Sequence, residues 1–199
     1  MIWKDFSKKF RDGEHAFLGA SNHAWYNYDD EKLVRIYINK LAASRGTAMH
    51  ALACSLIKLK IKLPENGSTL SLYVNDAIKL GLRPEEKLFY SKFAYGTADG
   101  IDFKDGILRV SDLKTGKTKV SFLQLMIYAA LFFLCYPEIP LKNVKKIELR
   151  IYQNNEILEE NPEIDEILPV MDKIQRYSRI LEELEENYDE GFDSYGSGT

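Results

Sequence analysis

Asp99, Asp112 and Lys114 are the residues whose types and spacing most directly predict chemistry in this 199-residue chain. They flank the dipeptide Asp105-Gly106, which favours a two-residue type I′ turn between antiparallel strands. Such a turn sets Asp99 directly opposite Asp112 across the hairpin. Because side chains alternate along a strand, Lys114 then shares the face of Asp112. The sequence thus predicts two opposed carboxylates with an ammonium group beside them.

The other positions of the expected hairpin form matched pairs in the same register. These pairs are Ile101 with Val110, Phe103 with Leu108, Asp102 with Arg109, and Gly100 with Ser111. The first two pairs are apolar, and the third joins opposite charges at the surface, where we expect no role in catalysis. A slip by one residue would break every pair. The pattern therefore predicts one specific register.

Two carboxylates that face each other at the edge of an apolar patch repel unless they are protonated, solvated or bridged by a cation. Carboxylate oxygens suit Mg²⁺ or Mn²⁺, so one interpretation is a divalent metal site. The other interpretation is a solvated hairpin end at which Lys114 neutralises the charge. The residues alone leave both interpretations open.

Periodicity predicts the elements that position these groups. Asp29 and Asp30 would cap a first helix, and residues 45–47 would separate it from a second. The expected helices cover 31–44, 47–61, 68–80, 121–136 and 164–188, and the expected strands 87–103, 107–114, 145–154 and 156–161. This order predicts an α/β fold with a mixed central β-sheet flanked by α-helices. Residues 1–188 would form a single domain and residues 189–199 a disordered acidic tail.

The composition is typical of a globular cytoplasmic protein, with 45% hydrophobic and 29% charged residues. The first fifteen residues contain no apolar run suited to a signal peptide. The apolar segment 122–136 is too short to span a bilayer comfortably, so we expect no membrane partner. Cys54 and Cys135 suit buried thiols in a reducing compartment better than a disulfide or a zinc site.

The charge is distributed unevenly along the chain. Residues 156–199 contain fourteen acidic and three basic residues, whereas residues 1–155 contain sixteen acidic and twenty-four basic ones. A basic body can bind a polyanion such as DNA. For the acidic segment alone, a solvated helix without a partner is an equally good interpretation.

Four motifs resemble those of one enzyme superfamily. The strings GTADG at 96–100 and DLKTG at 112–116 resemble the active-site hairpin of the PD-(D/E)XK nuclease superfamily, where one acid precedes an acid-x-Lys triplet. GTAMH at 46–50 is similar to the Gly-x-x-x-His motif of its RecB-like and phage-exonuclease branch, and QLMIY at 124–128 to the Gln-x-x-x-Tyr motif. The motifs follow the order of that branch, and the resemblance extends to about residue 185.

The resemblance implies a restriction-endonuclease-like core and a metal-dependent deoxyribonuclease, an exonuclease of phage recombination or repair in a bacterial or phage-infected cell. One or two Mg²⁺ or Mn²⁺ ions would be held by His50, Asp99, Asp112 and the main-chain carbonyl of Leu113. The resemblance also implies three catalytic residues, Asp99, Asp112 and Lys114. Of these, Lys114 would activate the attacking water and stabilise charge on the phosphate.

The resemblance also implies residues around the catalytic group. Gln124 and Tyr128 would support the site and the DNA strand, and Lys117 would contact phosphates. Taken alone, Tyr128 suits a buried phenol with a bonded hydroxyl nearly as well, and His50 suits a core histidine. Lys117 alone suits a solvated lysine.

Two features depart from the family pattern. Ala98 precedes Asp99 where the superfamily's name has proline, and the chain has two cysteines where the iron–sulfur members use four, so we expect no iron–sulfur cluster. By family analogy, the partners would be DNA, further copies in a homo-oligomer, and a single-strand annealing protein. Two rival functions are a catalytically silent DNA-binding or assembly protein that keeps the nuclease fold, and an interaction protein that works through its acidic C-terminal helix.

Overall fold

The structure of the chain is a computed structural model that describes residues 16–116 and 119–196, with side chains up to residue 187. Its helices are α1 (Asp30–Leu59), α2 (Thr69–Leu80), α3 (Leu123–Cys135) and α4 (Ile164–Gly196). Its strands are β1 (Arg83–Ser91), β2 (Ala94–Lys104), β3 (Ile107–Leu113), β4 (Lys146–Gln153) and β5 (Glu156–Glu160), and short 3-10 helices lie at His23–Asn27 and Leu141–Asn143. The expected α/β class is confirmed.

The chain divides into two compact units, Met1–Ser44 and Arg45–Thr199. In the first unit, the side chain of Asp29 accepts a hydrogen bond from the backbone N–H of Lys32 at 2.7 Å and so caps α1, as expected. Phe17 packs edge to face on Tyr37, with ring centroids 5.0 Å apart. The sheet and the candidate site belong to the second unit.

The strands form one mixed sheet in the order β1-β2-β3-β4-β5. Its β3–β4 pair is parallel, and the chain crosses between these strands through α3; the other neighbouring strands are antiparallel. The register from Gly100–Ser111 to Lys104–Ile107 is the one that the sequence predicts. Asp105 and Gly106 have φ values of 55° and 83°, as the type I′ turn requires.

Each face of the sheet is covered by helices. One face packs on α3 and α4 through Leu108, Val110, Leu149, Ile151, Leu125, Ala129 and Ile167, all of which are fully buried. The other packs on α2 and the end of α1 through Leu113, Tyr152, Tyr73, Val74, Ala77, Ala53 and Ile57. Burial of a large apolar side chain contributes roughly 1.5–3 kcal/mol, so these contacts fix the strands that carry the site.

Three expected boundaries differ from the structure. The predicted break at residues 45–47 is wrong, because α1 continues through Gly46, which a helix tolerates at a cost of about 1 kcal/mol. The predicted strand 87–103 is two strands, because the chain turns at Lys92-Phe93, which carry no typical turn residue. Helix α4 continues past residue 188 to Gly196.

Among the described residues, we find no helix with both the length and the apolar character needed to cross a bilayer.

Candidate metal centre

His50 and Asp99 form the first contact of the candidate site. His50 lies on α1 and Asp99 on β2, and the imidazole Nδ1 is 3.2 Å from the carboxylate Oδ1. This hydrogen bond raises the pKa of His50 above its ordinary value, against the opposing effect of burial, and the charges of Asp99, Asp112 and Glu85 raise it further. The histidine is therefore held against carboxylates, with part of its ring open to solvent.

Glu85 completes a group of three donors with His50 and Asp99. A carboxylate oxygen of Glu85, a ring nitrogen of His50 and a carboxylate oxygen of Asp99 all lie within 4.8 Å of one another. Glu85 has a φ of 54°, and it is the position that the β1–β2 ladder omits between the pairs at Pro84 and Glu86. The left-handed backbone thus occurs at the residue whose side chain completes the three-donor group.

Sequence reasoning missed Glu85 because the expected strand began at residue 87, which left Glu85 outside the sheet. The signal that finds it is the β1–β2 register, which flanks Glu85 with the pairs Pro84–Gly100 and Glu86–Ala98 and so sets it across from Asp99. That register depends on a turn that the sequence does not mark.

Asp99 is fixed through both its side chain and its backbone. The β2–β3 ladder ends at Gly100–Ser111, one pair before the aspartates, and Asp99 Oδ2 instead accepts the backbone N–H of Leu113 at 2.9 Å. The buried hydroxyl of Tyr73 donates to the Asp99 carbonyl at 2.7 Å. These bonds leave Oδ1 for His50, so the carboxylate has one orientation.

The buried carboxylate of Asp112 forms an ion pair with the partly exposed ammonium of Lys114 next to this group. The Lys114 ammonium donates to Asp112 Oδ1 at 3.1 Å and lies 3.1 Å from Oδ2, which accepts no hydrogen bond from any described residue. Burial and the charge of Asp99 raise the pKa of Asp112, while Lys114 and His50 lower it. Asp112 lies outside the three-donor group, and its buried Oδ2 contacts the Lys114 ammonium without accepting a hydrogen bond from any described residue.

Helix α3 supports both the lysine and strand β2. Gln124 Oε1 accepts a hydrogen bond from Lys114 Nζ at 2.8 Å. Tyr128, one turn further along, donates its hydroxyl to the Thr97 carbonyl at 2.7 Å, and burial raises its pKa. A Cβ at Gly96 would lie 2.9 Å from the Tyr128 ring, so the absence of a side chain there lets the tyrosine pack on β2. Tyr128 thus supports the strand that carries Asp99.

Gly46 permits a close approach of α1 to the segment after β3. A Cβ at this position would lie 2.8 Å from the hydroxyl oxygen of Thr115. A larger residue would force either the Thr115 side chain or the helix to shift, and His50 follows Gly46 by about one turn on the same helix. The Gly-x-x-x-His spacing therefore serves to place the imidazole.

An open cleft of about 620 Å³ adjoins the ion pair. Its lining includes Lys114, Lys119, Gln124, Tyr128 and Tyr95. The structure therefore brings two cations, two phenols and an amide to one opening beside the carboxylates. Lys117, the expected phosphate contact, lies outside the described residues.

The donor set suits a divalent cation. One imidazole and two carboxylates within 4.8 Å of one another are ligand types that bind Mn²⁺, Mg²⁺ and related ions. Asp112 Oδ2, which accepts no hydrogen bond from a described residue, adds a fourth donor atom nearby. The residues therefore fit the metal that the motifs imply, with Glu85 as an additional donor. Leu113, whose carbonyl is an expected ligand, is tied to the group through its N–H bond to Asp99.

No family model, curated protein or solved structure matches this chain.

Proposed function

We propose that this chain is a metal-dependent deoxyribonuclease that hydrolyses phosphodiester bonds. The observation that carries the proposal is the His50–Glu85–Asp99 donor group, which a single hydrogen bond links to the Asp112–Leu113–Lys114 segment. A cation-binding group next to a partly exposed lysine is the equipment that phosphoryl hydrolysis requires.

His50, Glu85 and Asp99 would hold Mg²⁺ or Mn²⁺, with Asp112 and the Leu113 carbonyl as further ligands for one ion or two. When bound, such an ion polarises a phosphate oxygen and makes a coordinated water more acidic. The role of the protein is to fix the donors, and the bonds from Tyr73 and Leu113 do so for Asp99.

Lys114 would act on the phosphate and on the attacking water. Its ammonium has three N–H donors, of which described residues occupy two through Asp112 and Gln124. The third is free to reach a ligand in the cleft, which Lys114 lines. The charge of Lys114 would stabilise the extra negative charge that the phosphate gains in the transition state.

Two lysines in the lining of the cleft and the order of the motifs support the proposal that DNA is the substrate. The same order supports the finer proposals, namely a restriction-endonuclease-like core and a phage-type exonuclease of recombination or repair. By analogy, a homo-oligomer and a single-strand annealing protein would be its partners.

A cleavage assay tests this proposal. Linear and closed circular DNA are incubated with the protein in Mg²⁺, in Mn²⁺ and in EDTA. The inactive variant is Asp112→Asn, which keeps the side-chain shape. The matched control is Lys104→Ala, which removes an exposed lysine from the far end of β2. We expect metal-dependent loss of linear DNA with the wild type and Lys104→Ala but not with Asp112→Asn.

The other outcomes separate the alternatives. Survival of closed circles identifies an exonuclease, whereas their cleavage identifies an endonuclease. DNA binding without cleavage in either metal supports the catalytically silent DNA-binding or assembly protein. Cleavage in EDTA, or by Asp112→Asn at the wild-type rate, contradicts the assigned site.

A further inference from the structure

An exposed aromatic pair lies on the edge hairpin formed by β1 and β2. Phe89 and Tyr95 are partners across the two strands, and their rings are stacked with centroids 5.8 Å apart and an interplanar angle of 24°. The residues remain 65% and 66% exposed. The two adjacent rings therefore form a small exposed aromatic surface at the edge of the sheet.

This pair lies on the hairpin whose first strand also carries Glu85, a donor of the candidate metal centre. Burial alternates along β1 after Glu85, whose left-handed backbone interrupts the extended conformation, so Lys87 and Phe89 share the exposed face of the strand. At about 3.3 Å per residue, Phe89 lies about 13 Å along the strand from Glu85. Lys87 lies between them, so a cation separates the candidate metal centre from the aromatic surface.

Tyr95 also borders the cleft that Lys114 lines. The lining residues of that cleft include Tyr95, Lys114 and Lys119. Aromatic faces next to a line of cations are the combination that proteins use for single-stranded nucleic acid: the cations follow the phosphates while the rings stack on the bases.

We infer that Phe89 and Tyr95 are a stacking platform for an unpaired base, and that the strand entering the site is single-stranded DNA or the unpaired end of a duplex. This inference rests on the proposed nuclease function. A base inside a duplex is already stacked on both faces and cannot use the platform. A purely apolar protein partner would cover the rings but would make no use of the exposed charges of Lys87 and Lys119.

Fluorescence anisotropy in EDTA, where binding is separated from cleavage, tests the platform. The probes are a labelled oligothymidylate and an abasic strand of the same length. We expect Phe89→Ala and Tyr95→Ala to bind the oligothymidylate about tenfold more weakly than the wild type. Two control variants should bind like the wild type. Tyr95→Phe keeps the ring, and Leu158→Ala removes a partly exposed apolar side chain from β5 at the opposite edge of the sheet.

The abasic strand distinguishes stacking from a general structural effect. Neither alanine substitution should change its binding, and an equal loss with both probes would overturn the inference. Unchanged oligothymidylate binding by the alanine variants would also overturn the inference. So would a wild-type dimer that Tyr95→Ala converts to a monomer, because a second copy of the chain would then cover the rings.

Cleavage by the wild type separates the two levels of the proposal. If metal-dependent cleavage occurs and the ring variants bind the oligothymidylate normally, the platform is refuted and the nuclease stands. If the wild type neither binds nor cuts any DNA, the nuclease itself is refuted.

Discussion

The sheet contains two hairpins with the same kind of turn and very different surroundings. In β2–β3 the turn residues Asp105 and Gly106 have positive φ, and in β4–β5 so do Asn154 and Asn155. The β4–β5 ladder runs regularly from Gln153–Glu156 to Leu149–Glu160, and every residue of β5 is exposed. The β2–β3 ladder stops early, beside buried residues, and its end holds the candidate site.

This difference in strand pairing explains why a backbone N–H group is available to bind a side chain of the candidate site. In a complete ladder, every N–H that points toward the neighbouring strand forms a hydrogen bond with that strand. Because the β2–β3 ladder ends early, the N–H of Leu113 instead binds the carboxylate of Asp99. The second hairpin is also rich in carboxylates, but Glu159 is 51% exposed and pairs with Arg150 at 2.9 Å. Burial and interrupted pairing, rather than acidic composition, therefore distinguish the candidate site.

The strongest test of this contrast is to remove the lysine of the first hairpin. If the proposed function is right, Lys114→Ala should lower the cleavage rate about 100- to 1000-fold, because the variant lacks the positive charge that would stabilise the phosphate in the transition state. Binding of DNA and Mn²⁺ should change little. Single-turnover rates measure the effect, with Lys146→Ala on β4 as the control. Wild-type rates for Lys114→Ala would remove it from the mechanism.

A smaller effect is expected for metal affinity. Glu85→Gln should weaken Mn²⁺ binding at least about tenfold, because one of three charged or imidazole donors becomes a neutral amide. Glu159→Gln in the second hairpin should leave it unchanged. Isothermal titration calorimetry with Mn²⁺ provides the comparison, and equal affinities for the two variants would place the ion elsewhere.

The two turns differ in what their second residue contacts. A Cβ at Gly106 would meet the Asn143 carbonyl oxygen at 2.7 Å, so Gly106→Asn installs the residue of the other turn where there is no room for it. We expect a loss of about 1–3 kcal/mol in the free energy of unfolding. Urea denaturation measures it, and an unchanged midpoint would mean that positive φ alone selects the glycine.

The smallest effect concerns the exposed ion pair of the second hairpin. Replacing Glu159 by Gln should reduce the free energy of unfolding by less than about 1 kcal/mol, because solvent screens a charge that is half exposed. The same urea experiment in low and high salt checks this expectation. A loss well above that limit would show that the Arg150–Glu159 ion pair stabilises the second hairpin more than its exposure predicts.

Local signals predict much of this fold. The Asp105-Gly106 turn fixes the β2–β3 register, Ser68 and Gly81 bracket α2 as capping residues, and the alternating pattern of β4 and β5 is visible in the sequence. Each depends on neighbouring residues in the chain, so the sequence contains the information needed to predict it.

Long-range geometry accounts for the rest. The turn at Lys92-Phe93 lacks a typical turn residue, so neither the separation of β1 from β2 nor the position of Glu85 was predicted. The early end of the β2–β3 ladder was also not predicted, because β3 there continues to pair with β4 and leaves β2. These features depend on packing between elements far apart in sequence.

The three donors come from three different elements, with His50 on α1, Glu85 on β1 and Asp99 on β2. An unfolded chain separates them by many residues and offers no preformed chelate. A cation that binds the group therefore binds the folded chain alone and shifts the folding equilibrium by mass action. The melting temperature should consequently rise with cation concentration, which makes thermal denaturation a readout of site occupancy that requires no substrate.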